Sequence, residues 1–127
     1  MPSTEIDNLE QACQKVVDLP KIRFVGVLNK MGKKIAGGFK EGVTSLLPDK
    51  DNQRMYVQIM LEYMMRKDFD SQLGKIDYIV SRRGNVTMIS IPTKEYLILI
   101  SATRDANAED IIKSVNSAFI TLPDIKP

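Results

Sequence analysis

Ile6, Leu9, Cys13, Val16 and Val17 recur at helical spacing behind the capping residues Ser3 and Thr4, which predicts a first helix over residues 4–18 ended by Leu19-Pro20. The period then changes. Ile22–Leu28 is a β-rich run, Asn29-Lys30-Met31-Gly32 supplies a turn with a glycine, and residues 33–39 continue extended, so the two runs form a β-hairpin. Gly37-Gly38 near the end of the second strand predicts a bulge or a close backbone approach, followed by a loop over residues 42–48.

A second helix is predicted from a cap at Asp49 or Asp51 to about Phe69, closed by Leu73-Gly74. Met55, Tyr56, Ile59, Met60, Tyr63 and Met64 occupy its adjoining turns, and Val57, Leu61 and Met65 carry the apolar surface beyond one stripe. A helix apolar over so much of its circumference has to be covered on more than one side. Strands are then predicted at residues 76–81, 86–91 and 96–102, with connections short enough to require antiparallel neighbours. The last two show little polar alternation and read as central, whereas the first is mixed enough for an edge. Asp105 and Asn107 open a final helix with Ile111, Ile112, Val115, Ala118, Phe119 and Leu122 on one face, and Pro123 and Pro127 mark a frayed tail. The order α-β-β-α-β-β-β-α predicts an α+β fold with a single five-stranded antiparallel sheet and flanking helices. Residues 1–127 read as a single domain, its core spanning about 4–122.

Composition narrows the chemistry. With 127 residues, 43% hydrophobic and 27% charged, the chain has the makeup of a globular domain with one core. No apolar run approaches the roughly 18 to 20 residues of a membrane helix, so no membrane insertion is expected. The segment from Met1 to Asp7 lacks the features of a signal peptide, and the lone Cys13 suits a reducing compartment; both predict a cytoplasmic location. The absence of histidine removes Ser-His-Asp and Cys-His catalysis and His-ligated zinc. Cys13 lies on the apolar face of the first helix and reads as a buried thiol, so no catalytic, cofactor or metal residue is predicted.

The net charge of +2 conceals a segment, residues 21–40, that sums to +6 with no acid. Lys30, Lys33 and Lys34, joined by Lys94 if the turn at residues 92–95 lies at the same end of the sheet, form a candidate basic patch. A pI near 8.7 and few aromatics beside these lysines make nucleic acid an unlikely partner. Nucleotide motifs fail when spelled out. Gly32 stands where Asn-Lys-x-Asp needs its aspartate, and Met31 and Lys34 occupy the P-loop glycine and hydroxyl positions. The acids from Asp49 lack the glycine and terminal glutamate of a calcium loop. Met55, Met60, Met64 and Met65 admit two readings, gap-filling in a core or an adaptable interface.

The stretch from Ile22 to Gly38, an apolar strand leading through Asn29-x-x-Gly32 to Ile35-Ala36-Gly37, resembles the first hairpin of roadblock domains of the dynein light chain type. Val25 to Lys40 and Asp77 to Ile91 are similar to small uncharacterised archaeal roadblock-like proteins. The resemblance implies a roadblock/profilin-like architecture and a homodimer in which the second helix and the third strand meet their symmetry mates. By position, that interface would use Met55, Ile59, Met60, Tyr63, Met64, Ile76, Tyr78 and Val80. It also implies a non-enzymatic scaffold binding a small Ras-like GTPase or a signalling partner. The methionine-rich helix and the Lys30, Lys33 and Lys34 cluster depart from the family pattern. Two other functions stay open: a PAS or GAF-like sensor holding a small ligand beside the methionines, and a basic hairpin meeting nucleic acid or acidic headgroups.

Overall fold

A computed structural model describes residues 3–119. Helix α1 (Ser3–Val17) leads into the hairpin of β1 (Ile22–Leu28) and β2 (Lys34–Phe39). Helix α2 (Asp49–Arg66) is prolonged by a 3-10 turn, Lys67–Phe69, and by the short α3 (Asp70–Leu73). Strands β3 (Ile79–Arg82), β4 (Thr87–Pro92) and β5 (Leu97–Ala102) precede α4 (Ala108–Phe119). The strands form one antiparallel sheet ordered β2-β1-β5-β4-β3, so the predicted α+β architecture is the one observed, with β4 and β5 inside and β3 at an edge. Leu122, Pro123 and Pro127 lie outside the described residues.

Strand alternation divides the core into two layers. Val25, Val27, Ile89, Ile91, Ile98 and Ile100 face one way and pack against α1 and α4 through Leu9, Cys13, Val16, Ile112, Val115 and Phe119. Phe24, Leu28, Leu97 and Leu99 face the other way and meet Tyr56 and Met60 of α2. Central β5 is buried along its whole length because it is covered on both sides.

Local details refine the sequence reading or depart from it. Of the two alternatives at Gly37-Gly38 the close approach is the one found, made by Gly37, while the bulge of this hairpin falls elsewhere, its register shifting between Val27 and Leu28 so that Ile35 is the extra residue. Helix α2 starts at Pro48 with no side-chain cap, and the amides of Asp51 and Asn52 donate to the Pro48 carbonyl. Asp49 and Asp51 therefore stand inside the first turn, where the helix dipole favours them. Only Asn107 caps α4, accepting from the Asp110 amide at 3.0 Å; Asp105 accepts from Lys21 at 3.1 Å and from Thr103 at 2.7 Å.

Strand β3 departs as well: it covers Ile79–Arg82 rather than residues 76–81, so Ile76 and Tyr78 precede the strand. Ile79 pairs with Ser90, and two residues further along the ladder Asp77 would have to face Pro92, which has no amide hydrogen to donate. Tyr78 turns instead toward α4, where its hydroxyl hydrogen-bonds Glu109.

Candidate functional site

The apolar side chains of helix α2 divide into a buried line, one half-buried flank and an exposed back. Tyr56 and Met60 are buried against the sheet, and Tyr56 stacks on Phe24 with centroids 5.8 Å apart. Met55, Ile59 and Tyr63 are half-buried beside them. Burial, then Asp49, raises the Tyr56 hydroxyl above its ordinary range, and burial, then Asp70, does the same for Tyr63. Val57, Leu61, Met64 and Met65 point away from the core, with exposures of 43, 56, 51 and 65%. Phe69 and Leu73 continue this apolar surface past the end of the helix.

Of the residues predicted for an interface, Met64 and Val80 are exposed, Met55, Ile59, Tyr63, Ile76 and Tyr78 are half-buried, and Met60 lies beneath the helix in contact with the sheet. Val80 sits in β3, which among the described residues pairs only with β4.

The four lysines are all exposed, and the sheet does bring their turns together: Leu28 pairs with Leu97, which sets residues 93–96 beside residues 29–33. Two of the four are engaged locally. Lys30 meets Glu95 at 3.5 Å, and Lys34 donates to the Gly37 carbonyl at 2.8 Å. The turn is rigid because the Asn29 carboxamide oxygen accepts from the Met31 and Lys33 amides at 2.9 and 3.0 Å. It also abuts α2, since a β-carbon on Gly32 would lie 2.8 Å from the Val57 α-carbon.

Sequence reasoning passed over a groove of about 750 Å3 between α2 and strands β3 and β4, lined in part by Met55, Ile59, Met88, Ser90 and Ser101 and by Arg23 and Arg83. The signal present in the chain was the pair of serines interrupting the apolar central strands. Among the described residues no cluster of three or more His, Cys, Asp or Glu side chains could hold a metal ion, and no helix is long and apolar enough to cross a membrane.

The pattern of one protein family, DUF6659, described as a family of unknown function, matches residues 1–118. The chain belongs to DUF6659. No curated protein matches it in sequence. Solved structures place this DUF6659 chain in the roadblock fold that the first hairpin suggested. A Roadblock/LC7 domain from Streptomyces avermitilis superposes with a TM-score of 0.70 at 11% identity, covering 90% of this chain and 93% of that one. MglB in a tetrameric arrangement gives 0.80 at 9% identity, over 96% and 90% of the two chains. Profilin from Schizosaccharomyces pombe gives 0.54 at 11% identity, over 81% and 86%, which extends the likeness to the wider profilin architecture.

Proposed function

We propose that this chain is a non-enzymatic regulatory scaffold of the roadblock kind, acting as one domain in the cytoplasm. It pairs with a second copy of itself and docks a small Ras-like GTPase or another signalling protein. The observation that carries the reading is the uncovered apolar back of α2, where Val57, Leu61, Met64 and Met65 are each more than 40% exposed. Contiguous apolar surface of this kind is characteristic of protein contact sites. Strand β3 adds a second element: its edge is open, and Val80 there is 37% exposed. The shared fold with MglB, which has been seen in a tetrameric arrangement, supports self-association.

Size-exclusion chromatography with light scattering across a dilution series tests the pairing, on the unmodified chain and on Leu61→Glu and Val80→Glu. Both side chains are exposed in the folded chain, so these changes spare the core, unlike any change at Met60. A dimer that falls to one-chain mass in the variants is expected. A one-chain mass for the unmodified protein at every concentration overturns the reading. Docking is read separately by titrating a GTP-loaded small GTPase into the dimer; absence of binding by any GTPase tried removes that half alone.

A further inference from the structure

The groove beside α2 has a floor unlike a surface awaiting an apolar helix. The strand registers place Ser101, Met88 and Ser81 in one row across β5, β4 and β3, and Leu99, Ser90 and Ile79 in the next. Hydroxyls therefore alternate with apolar side chains over the floor. Ser90 and Ser101 are each only 8% exposed, and neither hydroxyl has a hydrogen-bond partner among the described residues. The helix wall, formed by Met55 and Ile59, is apolar.

One end of the groove carries unneutralised positive charge. Arg23 lies on β1 between Ile22 and Phe24, whose partners on β5 are Ala102 and Ser101. Arg83 follows Arg82, whose partner Thr87 pairs with the same Ala102, so both residues belong to one end of the sheet, on β1 and just past β3 with β5 and β4 between them. Arg23 uses one terminal nitrogen on the Thr44 carbonyl at 3.1 Å, while its Nε is buried with no partner. The acids along the groove are already engaged: Asp51 with Arg54 at 3.6 Å and Glu62 with Arg66 at 3.0 Å. A partner's apolar helix laid here would leave the two hydroxyls unmet, which a folded interface disfavours.

We propose that this groove is a binding site for a small organic anion. Its carboxylate or phosphate meets Arg23 and Arg83, whose planar donor forks suit oxyanions. Its polar substituents meet Ser90 and Ser101, and its apolar or aromatic body lies against Met55, Ile59 and Met88. The volume of about 750 Å3 lies within the range of small-molecule sites. The site stands apart from the α2 part of the self-association surface, because Val57 and Leu61 point away from the groove and do not line it, whereas β3 borders both through Ile79 and Ser81.

The test is a titration of the full chain with 1-naphthyl phosphate, 1-naphthoate and neutral 1-naphthol, followed by backbone-amide NMR. At least one anion is expected to saturate with shifts centred on Ser90, Ser101, Arg83 and Met55, and the preferred one tells phosphate from carboxylate. Binding is expected to weaken at least tenfold in Arg83→Glu, an exposed turn position whose change leaves the core spectrum intact. Equal binding of 1-naphthol, shifts confined to another surface, or indifference to Arg83→Glu overturns the proposal. Leu61→Glu separates this site from the scaffold reading: the variant is expected to bind the anion as the unmodified chain does, and loss of binding there overturns the independence of the groove.

Discussion

Gly37 and Val25 approach so closely across the first hairpin that a β-carbon on Gly37 would lie 2.0 Å from the Val25 carbonyl oxygen. Gly37 also has φ of +90°, and its amide donates to the Glu10 carboxylate of α1 at 3.1 Å while its carbonyl accepts from Lys34 at 2.8 Å. Strain and collision act together, so Gly37→Ala is expected to lower unfolding free energy by about 2 to 4 kcal/mol in urea titrations. Gly38→Ala, where no atom among the described residues lies within 4 Å of the new carbon, is expected to stay within about 1 kcal/mol of the unmodified chain. Equal losses at both positions would remove the close-approach explanation.

Met60 and Leu61 are neighbours with opposite environments, 5% and 56% exposed. Truncating Met60 opens a cavity among Phe24, Leu28, Leu97 and Leu99, and Met60→Ala should cost about 2 to 4 kcal/mol. Leu61→Ala removes a side chain that mostly faces water, and the stability of the single chain should change by no more than about 0.5 kcal/mol. Urea unfolding of dilute samples distinguishes the two.

Arg82 fastens the edge strand to the other side of the molecule. Its guanidinium donates to the Arg104 carbonyl and, at 3.0 Å, to the Ala106 carbonyl, and Thr87 joins the same Arg104 oxygen at 3.0 Å. Replacing Arg82 with Met keeps much of the stem but removes both donors. A loss of about 1 to 3 kcal/mol is expected, together with faster amide exchange in β3 than in β5. Unchanged exchange at Val80 and Ser81 would count against the clasp.

Cys13 is buried, and burial, then Glu10, pushes its thiol up to about 12 from 9.0 against a smaller opposing effect of Lys34. The folded state thus holds the proton longer than the unfolded chain. Its stabilising effect is complete below the unfolded pKa near 9 and is lost as pH rises toward 12. Stability should therefore fall between those limits, and Cys13→Ala should flatten part of the fall; the raised Tyr56 and Tyr63 hydroxyls act in the same direction. At pH 8 a disulfide reagent should label Cys13 only after unfolding. Rapid labelling of the native protein would contradict its burial.

Much of the fold is legible in near-neighbour patterns. The period of Ile6, Leu9, Cys13, Val16 and Val17 marks α1, and the apolar run from Leu97 to Ile100 marks a strand covered on both faces, because such periods are set by local backbone geometry. The short reach of β3 was not legible. It depends on Pro92 standing across the ladder and on Tyr78 finding Glu109 in a helix far along the chain. The breadth of the apolar surface on α2 was likewise readable, but not that Met60 would face the sheet while Met64 and Leu61 face outward.

The sequence by itself determined the eight principal elements and their order, the single-sheet architecture, which of the last three strands is the edge and the exclusion of histidine chemistry. Tertiary structure alone decided that β5 lies between β1 and β4, that α2 packs on Phe24, Leu28, Leu97 and Leu99, and that Arg23 and Arg83 share one end of the groove beside it. The physical reason is range. Hydrophobic periodicity records which side of its own segment a residue faces, whereas strand order and helix placement are set by pairings between segments distant in the chain, and only those pairings create a groove.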